Sequence, residues 1–228
     1  MGVATATSLD ERVFDDSTLV VPMTTYQASL LGAGEPAVDA TVPFERVQLD
    51  DQSWVDVVRG WLRGSDTLLD ALIATVDWEQ HRRWMYERMV DDPRLSHWFS
   101  ADDPLPHPAL EPVRSALEEH YAVPLGGIGL NYYRDGRDSV APHRDRELRH
   151  LDDTLIAIVT LGAQRPFLIR PKGGGKSRDI SPASGDLLVM GGRTQVNWEH
   201  GVPKVKRAGP RISATWRWSS QKGAVDRT

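Results

Sequence analysis

The stretch TLIAIVTLG, residues 154–162, is uncharged, rich in β-branched and aliphatic residues, and closes on a glycine. It is one of a series. GIGLNYY (127–133), PFLIRP (166–171), DLLVMGG (186–192), TQVNWEH (194–200) and PRISATWRW (210–218) are similar short runs, separated by Gly, Pro and Asp. Strands at such short intervals, with no helical pattern between them, predict an antiparallel sandwich or barrel from about residue 126 onward. The connections are too short for βαβ winding, so the layout is α+β.

Upstream the periodicity changes. Trp54, Val57, Val58, Trp61 and Leu62 repeat at helical spacing, as do Leu68, Leu69, Leu72, Ile73 and Val76, with Arg63-Gly64-Ser65-Asp66 as break and cap between them. A further helix is expected over 108–121, with Pro108 in its first turn and Leu110, Val113 and Leu117 on one face. These helices should pack on one face of the β-rich half. Residues 1–45, rich in Ala, Thr, Gly, Pro and Asp without clear period, read as a loosely ordered N-terminal arm, and 46–228 as a single domain. KGGGKS (172–177) lacks the earlier glycine of a phosphate loop, since position 170 is Arg, and reads as a hairpin turn.

At 228 residues the chain can bury a substantial core. It has no cysteine, which excludes disulfides, thiolate metal sites and a thiol nucleophile. No apolar run reaches the roughly 18–20 residues of a membrane helix. The start, MGVATATSLDER, is not a secretory signal, and Ala6 breaks the myristoylation pattern. A soluble, cytoplasmic, monomeric protein is expected, with no membrane contact. The net charge of −5 is unevenly spread: 9 Lys/Arg against 22 Asp/Glu in residues 1–130, and 18 against 10 in residues 131–228. The basic half suits an anionic partner, or the two halves attract one another.

His143 and Asp145, two apart in PHRDRE (142–147), leave one face of an extended segment. With His200 they make two imidazoles and a carboxylate, a set that can occupy one face of a non-haem Fe(II) and leave positions open. His81, His97, His107, His120 and His150 have no obvious partner. Arg211 and Arg217, six apart on a strand, share a face, and inward guanidinium groups need anions. A dicarboxylate beside the metal would satisfy them; Asp145, Asp186 or Glu199 could do so instead.

The ordered set HRD (143–145), His200 and Arg211-x5-Arg217 resembles the AlkB family of 2-oxoglutarate/Fe(II) dioxygenases. So do Asn131-Tyr-Tyr133, twelve residues before His143, and GDLLVMGG (185–192) before His200. The resemblance covers about residues 80–218. It implies a double-stranded β-helix, or jelly roll, with its core over 126–218 and Fe(II) held by His143, Asp145 and His200. Arg211 with Tyr133 would hold the far carboxylate of 2-oxoglutarate, and Asn131 and Arg217 would lie by its other end. It further implies O₂-dependent demethylation of N-alkylated bases in DNA or RNA, with formaldehyde, succinate and CO₂ released, as in alkylation-damage repair. Glu147 matches a position that contacts the base; alternatively it pairs with Arg146 or Arg149. Residues 82–100 fall where the family has its nucleotide-recognition lid, with Trp98 and Phe99 as candidates for base stacking; alternatively the segment covers a barrel edge. The alternative activity is a 2-oxoglutarate oxygenase acting on a protein side chain or a small molecule.

Overall fold

Residues 154–162 form the middle strand of the larger of two antiparallel sheets, and all nine are buried. The computed structural model describes residues 32–85 and 87–225. In chain order the elements begin with β1 (Ala37–Val38), β2 (Glu45–Asp50), β3 (Ser53–Val58), β4 (Leu62–Arg63) and α1 (Ser65–Thr75). Next come β5 (Arg82–Met85), β6 (Arg88–Asp91), β7 (Leu95–Phe99) and α2 (Leu110–Tyr121). The β-rich half holds β8 (Ile128–Tyr133), β9 (Val140–His143), β10 (Thr154–Gly162), β11 (Leu168–Pro171), β12 (Arg178–Asp179) and β13 (Leu187–Gly192). A single turn, α3 (Thr194–Asn197), leads to β14 (Trp198–Val202), β15 (Arg211–Ser219) and β16 (Gly223–Ala224).

The larger sheet runs β2-β3-β13-β10-β15-β8-β7, with β16 on the end of β15; the smaller runs β12-β11-β14-β9. Facing one another, they make the expected jelly roll. Alternation along β10 divides the core. Leu155, Ala157, Val159 and Leu161 join Leu68, Leu69 and Leu72 of α1 and Leu110, Val113 and Leu117 of α2 in one apolar cluster. Ile156 and Ile158 point the other way, into a second cluster with Phe167, Ile169, Leu188, Met190 and Trp198 between the sheets. Because both faces of β10 are covered, its sequence is a continuous apolar run with no polar alternation.

The strands at 127–133, 154–162, 166–171, 186–192 and 210–218 lie where the sequence places them, as do the helices over 65–75 and 110–121. Two expectations are corrected. The helical spacing at Trp54–Leu62 belongs to β3, which pairs with β2 and β13. A strand buried on both faces has no period of its own, and chance spacing reads as helix. TQVNWEH opens with the α3 turn before β14 begins.

The first 31 residues of the expected arm lie outside the described residues. Residues 32–45 are tied to the domain: β1 pairs with β4, Asp39 donates its N–H to the Trp61 carbonyl, and Asp66 donates to the Gly32 carbonyl. The 172–177 glycines join β11 to β12, with Gly173, Gly174 and Gly175 all at positive φ, where glycine is unstrained. Among the described residues, no helix is long and apolar enough to cross a membrane.

The α1 contact gives a direct test of this layering. Leu72 is fully buried against β10, whereas Asp70 faces water. Leu72→Ala should cost about 2–5 kcal/mol in urea unfolding. Asp70→Ala should stay within about 0.5 kcal/mol of the parent.

Candidate metal centre and its cavity

Strand pairing brings two of the three expected donors together. β9 and β14 are neighbours, and their register sets His143 opposite His200, with ring centroids 4.4 Å apart. Asp145 arrives by another route. β9 ends at His143, so strand alternation does not carry on to Asp145 as expected. The chain turns there instead, and the Asp145 carbonyl accepts the N–H groups of Leu148 and Arg149. The turn sets Asp145 Oδ1 3.4 Å from His143 Nε2 and 3.8 Å from His200 Nε2. One donor atom from each residue lies within 4.8 Å of the other two, a spacing at which all three could hold one ion.

The protonation states suit that use. Burial works to raise the Asp145 carboxyl, but the Arg217 guanidinium and both imidazoles hold it well below the usual carboxylate range. Burial, with His143 close by, pushes His200 down to about 3, so it is a neutral imidazole with a lone pair to give. His143 Nδ1 lies 3.0 Å from the Ala141 carbonyl. Donation there leaves the Nε2 lone pair facing Asp145. Asp145 is also divided between two tasks: Oδ2 accepts from Arg217 Nε at 2.7 Å, leaving Oδ1 to the imidazoles. Two imidazole nitrogens and one carboxylate oxygen are a donor set that fits Fe(II).

A cavity of about 640 Å³ opens beside these groups. The larger sheet supplies one wall: Gly129, Asn131 and Tyr133 from β8, and Ser213, Thr215 and Arg217 from β15. The parity that turns Ile212, Ala214 and Trp216 to the helices turns Arg211, Ser213, Thr215 and Arg217 toward this side. Arg211 lies fully buried behind Ser213. Its Nη1 donates to Ser213 Oγ at 2.5 Å, its Nη2 to Thr160 Oγ1 at 3.2 Å, and its Cζ is 5.3 Å from the Tyr133 ring centre. Nε is buried with no partner. Burial lowers Arg211 to about 10, so it remains charged at neutral pH.

Of the candidate counter-ions, Asp186 is taken by Arg59, Glu199 by Arg170, and Asp145 by Arg217. Among the described residues, no carboxylate reaches Arg211. A buried guanidinium with two hydroxyl partners and an orphaned N–H fits an anionic ligand.

The remaining candidates divide. Asn131 lines the cavity and accepts at Oδ1 from Arg94 Nε, 2.9 Å away. Glu147 lines the cavity too, with its Oε1 3.4 Å from Arg217 Nε, in place of the expected Arg146 or Arg149. Trp98 faces the cavity, its ring close over Gly129, where an added Cβ would come within 3.1 Å. Phe99, the next residue, falls on the other face of β7, packed against the helix-side core and the His97 ring. It is withdrawn as a stacking candidate, because period-two alternation separates it from Trp98.

Sequence reasoning missed Arg94, His81 and His97 on the cavity wall. It also missed Arg165, 1% exposed, whose guanidinium donates to the carbonyls of Asp135, Asp138 and Pro203 and anchors the loop after β8. Arg94 and His97 lie within the flagged 82–100 stretch; Arg165 carries no pattern that would single it out.

A profile of the 2OG-Fe(II) oxygenase superfamily matches residues 75–222. Over 177 residues the chain is 30% identical to the mouse alpha-ketoglutarate-dependent dioxygenase alkB homolog 3, covering 68% of this chain and 62% of that protein. Over 138 residues it is 33% identical to the mouse DNA oxidative demethylase ALKBH2, covering 55% and 58%. The chain thus spans about three fifths of the length of these curated relatives. Among solved structures, OsALKBH1 aligns over 76% of this chain and 99% of its own, with a TM-score of 0.52 at 15% identity. A prolyl hydroxylase from Trichoplax adhaerens, bound to a hypoxia-inducible-factor peptide, aligns over 74% and 84%, with a TM-score of 0.56 at 12% identity. These two likenesses show the shared fold.

Arg217 is the counter-ion of a buried carboxylate, so its removal should be felt without any ligand. Arg217→Met should cost about 3–5 kcal/mol in urea unfolding of the metal-free chain at pH 7. Asp145→Asn in the same background should recover much of that loss, since no buried charge is then left unpaired.

Proposed function

The chain belongs to the 2OG-Fe(II) oxygenase superfamily and, within it, to the AlkB family, and we propose that it is a 2-oxoglutarate- and Fe(II)-dependent dioxygenase that demethylates N-alkylated bases in DNA or RNA. One observation carries the reading. A two-histidine, one-carboxylate donor set lines one cavity, and behind Ser213, another of its lining residues, lies the fully buried Arg211 guanidinium, which no carboxylate of the described residues reaches. A metal-binding module alone would leave Arg211 without a purpose.

In this reading His143, Asp145 and His200 would hold Fe(II) beside the cavity that they line. Fe(II), 2-oxoglutarate and O₂ together supply the oxidising power that places a hydroxyl on the N-methyl carbon, with succinate and CO₂ as by-products. The chain positions the reactants. Arg211 takes the distal carboxylate of 2-oxoglutarate through its free Nε–H and its Nη groups, and Tyr133 closes over the same end. Asn131, held by Arg94, and Arg217 flank the other end. Once hydroxylated, the substrate is a hemiaminal, which loses formaldehyde and returns the unmodified base. Glu147 and Trp98, which both line the cavity, would meet the base in this reading, one by its carboxylate and the other by its ring.

The nucleic-acid assignment draws support from the names of the relatives, which include a DNA oxidative demethylase, and from the excess of Lys/Arg in residues 131–228. A further support lies in the segment assigned as the nucleotide lid, residues 82–100. Its β5–β6 hairpin sets Trp84 opposite Met89, 68% and 46% exposed, beside Arg82 and Arg88. Large apolar groups left in water beside arginines suit contact with stacked bases and phosphates. Residues 46–228 then act as one dioxygenase domain around the 126–218 jelly roll.

Incubation with N-methylated single- and double-stranded DNA and RNA should yield formaldehyde and succinate in equal amounts and restore the base mass. Turnover stimulated by peptides but not by methylated oligonucleotides would contradict the nucleic-acid substrate and leave the oxygenase standing. His143→Ala and Asp145→Ala should each stop 2-oxoglutarate consumption. Arg211→Met should weaken 2-oxoglutarate binding by about 100-fold or more, as expected for losing one side of a buried charge pair. With about four to six phosphate contacts, log affinity for oligonucleotide should fall with log salt at a slope of about −3 to −5; a flat response would count against nucleic acid.

A further inference from the structure

Asp145 lies two residues past the end of β9. Continued that far, the β9–β14 register would set it opposite Trp198, but the pairing stops at His143, and Trp198 is paired only on its other edge, with Pro171. The Asp145 N–H is held by a side chain: it donates to Gln195 Oε1 at 2.8 Å. Gln195 has no exposed surface and sits in the α3 turn, directly ahead of the strand that carries His200.

The same turn grips the segment after β9 at two further points. Arg144 Nη1 donates to the Val196 carbonyl at 3.3 Å, and Arg193 Nη1 meets Asp152 Oδ1 at 2.5 Å. Of these three contacts, only the Gln195 bond is buried and only it fixes the backbone of a candidate ligand. Its amide Nε2 is buried with no partner, so the acceptor oxygen is the working end of the side chain. A buried amide kept for one hydrogen bond, with its donor unsatisfied, is a costly choice for packing alone.

We propose that Gln195 is a positioning residue for the metal centre, acting as a side-chain substitute for the missing ladder bond. This rests on the reading of His143, Asp145 and His200 as metal ligands. The β9–β14 pairing fixes the two histidines relative to each other, but it stops short of Asp145. Gln195 supplies the third fixed distance, tying the carboxylate-bearing turn to the strand of His200. Arg217 holds the carboxylate at Oδ2 but makes no bond to the backbone of the turn, which the Gln195 bond fixes. Glu147 rides on the same turn, so its place in the cavity depends on the same bond.

The test uses the whole 228-residue chain, metal-free, titrated anaerobically with Co(II) and followed by ligand-field absorption, and thermal unfolding with and without Co(II). Gln195→Met keeps the length of the side chain, removes the acceptor and also removes the orphaned donor. Its Co(II) affinity should fall about 10- to 100-fold. Its metal-free melting temperature should stay within about 3 °C of the parent. The rise in melting temperature on adding Co(II) should shrink with the logarithm of the lost affinity. Gln195→Glu, which keeps an oxygen acceptor at the same reach, should bind Co(II) more tightly than Gln195→Met and return the parent absorption spectrum.

Parent-like Co(II) affinity in Gln195→Met would overturn the proposal, and so would a Gln195→Glu variant no better than Met. A fall in metal-free melting temperature large enough to account for the lost binding would reduce Gln195 to a packing role. Failure of the parent chain itself to bind Co(II) would remove the metal reading, and this proposal with it.

Discussion

The alternation of side chains along β10 and β15 is the constraint on which everything else rests. In β10 one parity is spent on the helices and the other on the space between the sheets. In β15 the helix-facing parity is Ile212, Ala214 and Trp216, and the other is polar: Arg211, Ser213, Thr215 and Arg217. A single-residue slip of β15 against β10 would drive two guanidinium groups into the leucines of α1 and α2 and lift Trp216 into the cavity. Register is therefore enforced from both sides, by apolar burial on one face and by charge on the other. The two arginines are held in place by the packing of residues that never touch a ligand.

That arrangement leaves the cavity electrostatically unfinished. Asp145 and Arg217 satisfy each other, and Glu147 leans on the same guanidinium. Arg211 has only hydroxyl oxygens and an aromatic face. A fold that buries a cation without a partner gives up stability in the empty state and regains it when an anion arrives. The same imbalance favours a ligand with a carboxylate at one end over a neutral one of the same shape.

Much of this was legible in the sequence, and the reasons differ by residue. The strands at 154–162 and 210–218 could be read because burial on two faces and a strict inward polar parity both leave marks on composition. His143, Asp145 and His200 could be read as a set through their order with Arg211-x5-Arg217 and the family resemblance that order carries, since two histidines and an aspartate alone have many structural uses. β3 was misread, since Val55, Val57 and Val58 are buried on both faces of the strand and carry no period that separates strand from helix. Phe99 was misassigned because adjacent aromatics look alike until a strand places them on opposite faces. Gln195 and Arg165 were invisible for another cause: both act on backbone atoms far along the chain, and backbone atoms have no letter in a sequence.

His143 stands on β9, an outer strand of the smaller sheet, and among the described residues β14 is the only strand it pairs with. Four residues of ladder, with an irregular register between His200 and Val202, are a weak seam in an otherwise doubly covered fold. Edge segments of that kind open far more readily than central strands. An ion gripped by His143 and His200 together would act as a rivet through the seam, joining an edge strand to an interior one. Occupancy of the centre and the closure of the cavity mouth would then be a single equilibrium, so that conditions which strip the metal would also unfasten the wall beside it.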